Sequence, residues 1–230
     1  MDILQAIILG IVQGVTELLP ISSSAHLYII PWLFGWAEQE AFDVALHFGT
    51  LLAIVLFFYK DWIKLISGGY KLVVKKQKSF EGRMFWYLVA ATIPGGIIGL
   101  VLDKFAGDVL KQPLIIATAL FVMGILLFIP GVSRSGVTMT TGRLMGIDRE
   151  STAKYTFLLA TPIVFAATLF KIKDFVFNLP FIIGVLVSFI VGAFVIKFLL
   201  NYLKKGSFKI FAIYRVLFAI LIVIVYFIRL

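Results

Sequence analysis

Three short stretches carry groups that could do chemistry in an otherwise oily chain. QGVTE (residues 13–17) sets Gln13 and Glu17 four apart, so they share one face of a helix. PISSSAH (20–26) brings Ser22, Ser23, Ser24 and His26 just past a proline. PGVSRSGVT (130–138) sets Arg134 between Ser133 and Ser135, with Thr138 close by and Gly131 and Gly136 on either side. A guanidinium grips a phosphate through forked, charge-assisted hydrogen bonds, and glycines let backbone N–H groups converge on an anion. With a carboxylate, an imidazole and hydroxyls beside it, such a clamp makes a set for phosphoryl transfer. Arginine neutralises the phosphate, an oxygen or nitrogen nucleophile attacks in line, and Glu17 or His26 moves the proton.

Each group also has a plainer reading. Residues 130–138 could be a polar hinge between helices, Glu17 a buried neutral acid, and His26 a polar cap at the outer surface. The serines could cap a helix starting at Ala25; one is expected to do so and another to face the site. Gln13 does not titrate, so it reads as a hydrogen-bond partner or weak ligand. His47 and Thr50, on one turn of the next apolar segment, read as support for the site or as polar glue between helices. Lys171, Lys173 and Arg143 read as surface residues near the ends of spans. Gln13 and Glu17 offer too few oxygens for Ca²⁺. Mg²⁺ could use one carboxylate with substrate phosphates and water.

The elements that hold these residues must be membrane helices. The 230 residues are 61% hydrophobic and 14% charged, with mean hydropathy +1.06, too apolar for a soluble domain. Several stretches approach the ~20 apolar residues that cross hydrocarbon. The fold class is all-α and polytopic, in one integral membrane domain over residues 1–230. Candidate spans lie at 44–59, 85–102, 114–128, 153–170, 180–200 and 210–228, about six transmembrane helices by this reading. There is no cysteine, so disulfides and thiolate chemistry are excluded. The net charge of +9 does not point to nucleic acid, because the positive residues sit beside membrane spans, where they set orientation. The N-terminus lacks the features of a cleaved secretory signal.

Residues 60–83 hold Lys60, Lys64, Lys71, Lys75, Lys76, Lys78 and Arg83 against Asp61 and Glu81. Residues 197–215 hold Lys197, Lys204, Lys205, Lys209 and Arg215 with no acid. Both are expected on the cytoplasmic side, and the balanced turn 103–111 outside. Counting crossings from these anchors makes 130–152 begin and end inside, so it must dip in and return. The first half mirrors it, with 3–31 entering from the outer face as a second re-entrant hairpin. Such backbone is tolerated only where protein or a wet cavity satisfies it.

PISSSAH and PGVSRSG align with Pro20 on Pro130 and Ser23 on Ser133, and KDW (60–62) parallels KDF (173–175). Two similar halves of opposite orientation, about 1–110 and 111–230, are an inverted repeat whose broken helices meet near the midplane. Two helical hairpins would then carry the chemistry.

QGVTE running into LLPISSSAH, followed by PGVSRSGVT, resembles the bacterial undecaprenyl-diphosphate phosphatase family, also called the bacitracin-resistance family. The resemblance runs through almost the whole chain. It places the family's first motif on Gln13 and Glu17, its serine and histidine on Ser23 and His26, and its Ser-Arg, serine and threonine on Ser133, Arg134, Ser135 and Thr138. It implies a multi-pass enzyme of the bacterial inner membrane that removes the terminal phosphate of undecaprenyl diphosphate. That would recycle the lipid carrier for peptidoglycan and hence cell-wall synthesis. It also implies a site open to the outer face and commonly a homodimer. Arg134 would clamp the diphosphate, with Gln13, Ser133, Ser135 and Thr138 in the binding set. The nucleophile would be Ser23, activated by His26 or Glu17, or else His26 itself. No cofactor is certain, Mg²⁺ or Ca²⁺ being possible at Gln13 and Glu17. One departure stands out. Family members carry a basic loop and a further apolar helix before PGxSRSG, whereas here 114–128 runs straight into Pro130. A loop and a helix are expected to be missing near 126–129, through a shortened variant or an omitted segment. A chain without them would lack the entering arm of its second hairpin, and its activity would be in question.

Broken helices in inverted repeats also build transporters, so a flippase for a phosphate-bearing lipid is the alternative. A structural membrane protein is a third. The Ser, Arg, His and Glu set favours hydrolysis, because a transporter needs only binding groups.

Overall fold

The computed structural model describes residues 2–37, 39–126, 138–139, 141–143 and 145–229, the side chains at 95, 98–110 and 123–126 excepted. All regular structure among them is helical. The chain runs through α1 (Ile3–Thr16), α2 (Ser23–Phe34), α3 (Glu40–Phe57), α4 (Tyr59–Val74), α5 (Phe80–Leu110) and α6 (Pro113–Leu126). It continues through α7 (Arg149–Lys171), a 3₁₀ turn (Ile172–Asp174), α8 (Leu179–Leu203) and α9 (Lys209–Arg229).

Local signals start and stop these helices. Asp2 and Gln5 form a reciprocal capping box at α1. Asp148 caps α7 by accepting from the Ser151 N–H at 2.8 Å. Asn178 caps α8 by accepting from the Phe181 N–H at 2.9 Å, with Pro180 in the first turn. Gly35, in the left-handed region at φ 66°, ends α2. The Arg229 guanidinium donates to the Trp32 and Leu33 carbonyls left over at that end.

Among the described residues four helical segments are long and apolar enough to cross a membrane: Glu40–Phe57, Arg149–Asp174, Leu179–Leu203 and Lys209–Arg229. Their outward faces carry bare large hydrophobics, such as Phe194 and Phe198 on α8 and Leu217 and Phe227 on α9, as lipid contact requires. The protein is therefore a polytopic helical membrane protein. By contrast α1, of 14 residues, and α2, of 12, are only about 21 and 18 Å long against about 30 Å of hydrocarbon.

One feature departs from the sequence reading. Residues 60–83, read as a basic connecting segment, fold into α4 and the first turn of α5. The α4–α5 crossing is close because a Cβ on Gly68 would fall 2.7 Å from the Gly82 nitrogen. Both ends of the second basic segment, 197–215, fall in helices, as the candidate spans 180–200 and 210–228 lead one to expect. Lys197 belongs to α8, and α9 begins at Lys209, so Arg215 sits nearly two turns inside a spanning helix.

The helices are drawn together by small residues. A Cβ on Gly14 would lie 2.7 Å from the Val191 side chain, and one on Gly49 would lie 2.5 Å from the Val185 carbonyl. Hence α1 and α3 both lie backbone-close on α8. The buried Ser188 adds a hydrogen bond from its hydroxyl to the Leu46 carbonyl at 2.8 Å. Leu18 and Ile21, flanking the break between α1 and α2, pack into the largest buried cluster with Phe157, Leu199 and Met139.

Candidate active site

The break between α1 and α2 sets the site. α1 ends at Thr16, and Glu17 still donates its N–H to the Gln13 carbonyl as the helix cap. The chain then turns, and Ser22 adopts φ 74°, a conformation costly for a residue with a Cβ. None of the three serines caps α2 through its side chain. The helix starts at Ser23, with Ser22 in the cap position making no side-chain cap bond. The expected serine cap is thus corrected: a left-handed Ser22 faces its hydroxyl away from the N–H groups of the first turn, towards Ser24 at 3.5 Å.

That frees Ser23 for another partner. Its hydroxyl donates to Glu17 Oε2 at 2.5 Å. The same oxygen accepts from the Gln13 amide at 3.3 Å and lies 3.3 Å from His47 Nε2. The Gln13 amide also reaches the Thr50 hydroxyl at 3.5 Å, and Thr50 donates to the His47 carbonyl at 2.8 Å. Gln13 is fully buried and Glu17 is 9% exposed. His47 Nδ1 faces the Asp43 carbonyl at 2.7 Å and so must carry a proton there. The opposite contact, Nε2 to Oε2, therefore calls for one more proton shared between His47 and Glu17. α1, α2 and α3 thus converge on one carboxylate oxygen. His47 and Thr50, weighed at first as support or glue, touch it or its partner directly. The signal was their spacing of one helical turn.

A cavity of about 520 Å³ opens onto this carboxylate, lined by Thr16, Glu17, Ser22, Ser23, Ser24 and His47, with Ile163, Val164 and Ala167 of α7 forming an apolar wall. A polar floor with one oily wall suits an amphiphile whose head is charged.

His26 faces another way. Its Nδ1 lies 2.7 Å from the Ser22 carbonyl and its Nε2 2.7 Å from the Tyr214 hydroxyl of α9. The Phe218 ring stacks on it at 4.4 Å between centroids. The carbonyl fixes the proton on Nδ1, and the tyrosine hydroxyl can then donate to a bare Nε2. Both ring nitrogens are therefore engaged, by groups other than Ser23 and Glu17. Arg215, next to Tyr214, lies within electrostatic reach of His26. Only 2% exposed, it has buried Nε and Nη1 atoms without a hydrogen-bond partner among the described residues.

Ser133, Arg134 and Ser135 lie outside the described residues. Thr138 and Met139 are helical, and Met139 is buried in the cluster containing Leu18 and Ile21. Among the described residues no group of three or more His, Cys, Asp or Glu side chains converges as a metal site. Gln13 Oε1, buried and without a hydrogen-bond partner, is the atom of this set best suited to accept a cation, with the Glu17 carboxylate beside it.

A polytopic membrane protein with a hydroxyl bonded to a buried carboxylate at a helix break is the class that this geometry defines. The model of the bacitracin resistance protein BacA family matches residues 6–129 and 127–221. The chain belongs to that family. A protein of Moorella thermoacetica named undecaprenyl-diphosphatase is 44% identical over 264 aligned positions, covering 100% of both chains. Proteins with the same name from Pelotomaculum thermopropionicum and Desulforudis audaxviator are 44% and 40% identical, covering 97% and 100% of this chain and the same shares of their own.

Proposed function

We propose that this protein hydrolyses undecaprenyl diphosphate to undecaprenyl phosphate and inorganic phosphate. The observation that carries the reading is the 2.5 Å bond from the Ser23 hydroxyl to the buried Glu17 carboxylate, beside a cavity with one apolar wall. Relatives named for this activity share the chain from end to end.

In the proposed reaction Ser23 Oγ attacks the terminal phosphorus and its proton passes to Glu17. The bond from that phosphorus to the bridging oxygen breaks, and undecaprenyl phosphate leaves with that proton from Glu17, which restores the carboxylate. Water then loses a proton to Glu17 and attacks the phosphoserine phosphorus; the P–Oγ bond breaks, Ser23 Oγ takes the proton back from Glu17, and phosphate is released. Gln13 and His47 hold the carboxylate in place for both steps. Arg134 neutralises the phosphate, with Ser133, Ser135 and Thr138 as further binding groups. Burial of Met139, next to Thr138, in the cluster that also holds Leu18 and Ile21 supports Thr138 as one of these groups. His26 is the second candidate nucleophile and would first have to leave Tyr214. Gln13 Oε1 and Glu17 are the residues that would hold Mg²⁺ or Ca²⁺, which would add positive charge beside the phosphate; no step above depends on it.

Residues 3–31 are read as a re-entrant hairpin in an inverted repeat of halves 1–110 and 111–230, with the site open to the outer face of the bacterial inner membrane. The shortness of α1 and α2 and the basic character of α4 support this. The break in the family match at 127–129, and alignments over 264 positions against 230 residues, support a missing loop and helix before Pro130. A homodimer is part of the same reading.

The test is phosphate release from undecaprenyl or farnesyl diphosphate by the purified chain in detergent. Release is expected, and Arg134→Ala should lower it by at least about a hundredfold, as loss of a charged transition-state contact does. Full turnover in Arg134→Ala would remove the clamp. A folded chain that binds the diphosphate without cleaving it would point to a binding or flipping role.

A further inference from the structure

A guanidinium inside a spanning helix is costly unless an anion meets it. Arg215 is on the inward stripe of α9, with Phe211, Ala212, Ala219 and Ile222, and not on its lipid face. It forms no ion pair with a carboxylate of the described residues, and two of its buried donor nitrogens are bare. Two neighbours on α9 fix its place. Tyr214 hydrogen-bonds His26, and Phe218 stacks on the same ring. One turn further along, Ala219 and Ile222 pack with Ala25 and Ile29 of α2. Arg215 therefore lies where α9 meets the first turn of α2, the turn whose Ser23 is bonded to Glu17.

We propose that Arg215 is a second anion-holding residue of the site, donating to diphosphate oxygens of the substrate where α9 meets α2. This rests on the phosphatase reading above and deepens it. A diphosphate carries more negative charge than one guanidinium neutralises, and buried N–H donors without partners are pre-set for phosphate oxygens. The structural alternative is a packing arginine, but a packing arginine in hydrocarbon would be expected to bond backbone carbonyls or a carboxylate through these same nitrogens.

The experiment compares wild type, Arg215→Gln and Arg215→Lys in detergent. The inorganic-diphosphate dependence of the thermal midpoint reports binding, and phosphate release from farnesyl diphosphate reports turnover. Without anion, Arg215→Gln should melt no lower than wild type, because it removes an uncompensated buried charge. The diphosphate concentration needed to raise the midpoint should increase about tenfold or more, the size of a lost charge-assisted hydrogen bond. KM for farnesyl diphosphate should rise by a similar factor, with kcat changing less, and Arg215→Lys should fall between. An unchanged diphosphate response in Arg215→Gln overturns the proposal. So does a lower midpoint without anion together with unchanged KM, which marks a packing residue. Loss of the response to orthophosphate alone, with KM unchanged, would make the site one for released product and overturn the substrate assignment. If wild type binds diphosphate through Arg215 yet releases no phosphate, the phosphatase reading fails and the anion site stands.

Discussion

The two ends of α2's first turn are built on opposite plans. At one end Glu17 Oε2 is met by Ser23, Gln13 and His47, three groups from three helices. At the other, His26 is held by a carbonyl, a tyrosine and a stacked phenylalanine, and the adjacent Arg215 has bare nitrogens. The first end is assembled from the chain's own groups. The second has a fixed ring and a cation whose buried Nε and Nη1 have no hydrogen-bond partner among the described residues. A site that must bind a polyanion and then activate a hydroxyl benefits from this division. The proton acceptor is preorganised, so no reorganisation is needed during reaction, while the cation's cost falls only when substrate arrives.

Removing the assembled end should have the largest effect. Glu17→Gln keeps the size of the side chain but abolishes the base. Turnover of a prenyl diphosphate, followed by phosphate release, should fall about 10²–10⁴-fold. Ser23→Ala should fall as far, since the two act as one unit, and the double variant should be no worse than either single one. Additive losses would separate the pair and return His26 to first place as nucleophile.

Much of this end could be read from the chain. Gln13 and Glu17 share a face because they are four apart, and Ser23 follows a proline-broken helix, so both could be placed without coordinates. Ser22 could not: no local pattern predicts a serine in the left-handed region, and that one residue decides whether the serines cap α2 or face Glu17. His26 was legible as chemistry but not as geometry, because Tyr214 lies 188 positions away and no periodicity links them. Arg215 falls in the expected span 210–228, but that it lies on the inward stripe of this helix, among Phe211, Ala212, Ala219 and Ile222, is not legible from the count of charges that orients the chain. The basic α4 was missed because lysines at helical spacing look like a loop when only charge is counted.

A smaller effect is expected at the second end. Tyr214→Phe removes the hydroxyl that meets His26 Nε2 but leaves the Ser22 carbonyl and the Phe218 stack in place. Turnover should drop only several-fold, the loss that goes with one hydrogen bond of ordinary strength. A fall comparable to that of Glu17→Gln would mean that His26 touches the reacting atoms, and the comparison would then have to be redrawn.

The smallest effect lies outside both ends and serves as the control for fold. Asp148 sits at the cytoplasmic-side start of α7 in the orientation proposed above. Its carboxylate accepts from the Ser151 N–H at 2.8 Å. That bond holds its pKa below the ordinary 3.8, and the group is fully exposed. A carboxyl with a lower pKa folded than unfolded adds stability above the unfolded value and loses it as pH falls through the folded one. Asp148→Ala should therefore lower the thermal midpoint slightly at neutral pH, and the difference from wild type should shrink below about pH 3.8 as Asp148 itself protonates. Asn caps nearly as well and does not titrate, so Asp148→Asn should stay close to wild type at neutral pH and should lack that acid-side loss. Neither substitution should move KM for a prenyl diphosphate, because no described residue links this cap to Glu17 or His26. A change in KM would show that a change at this end of α7 is transmitted along the helix to the apolar wall of the cavity at Ile163 and Val164.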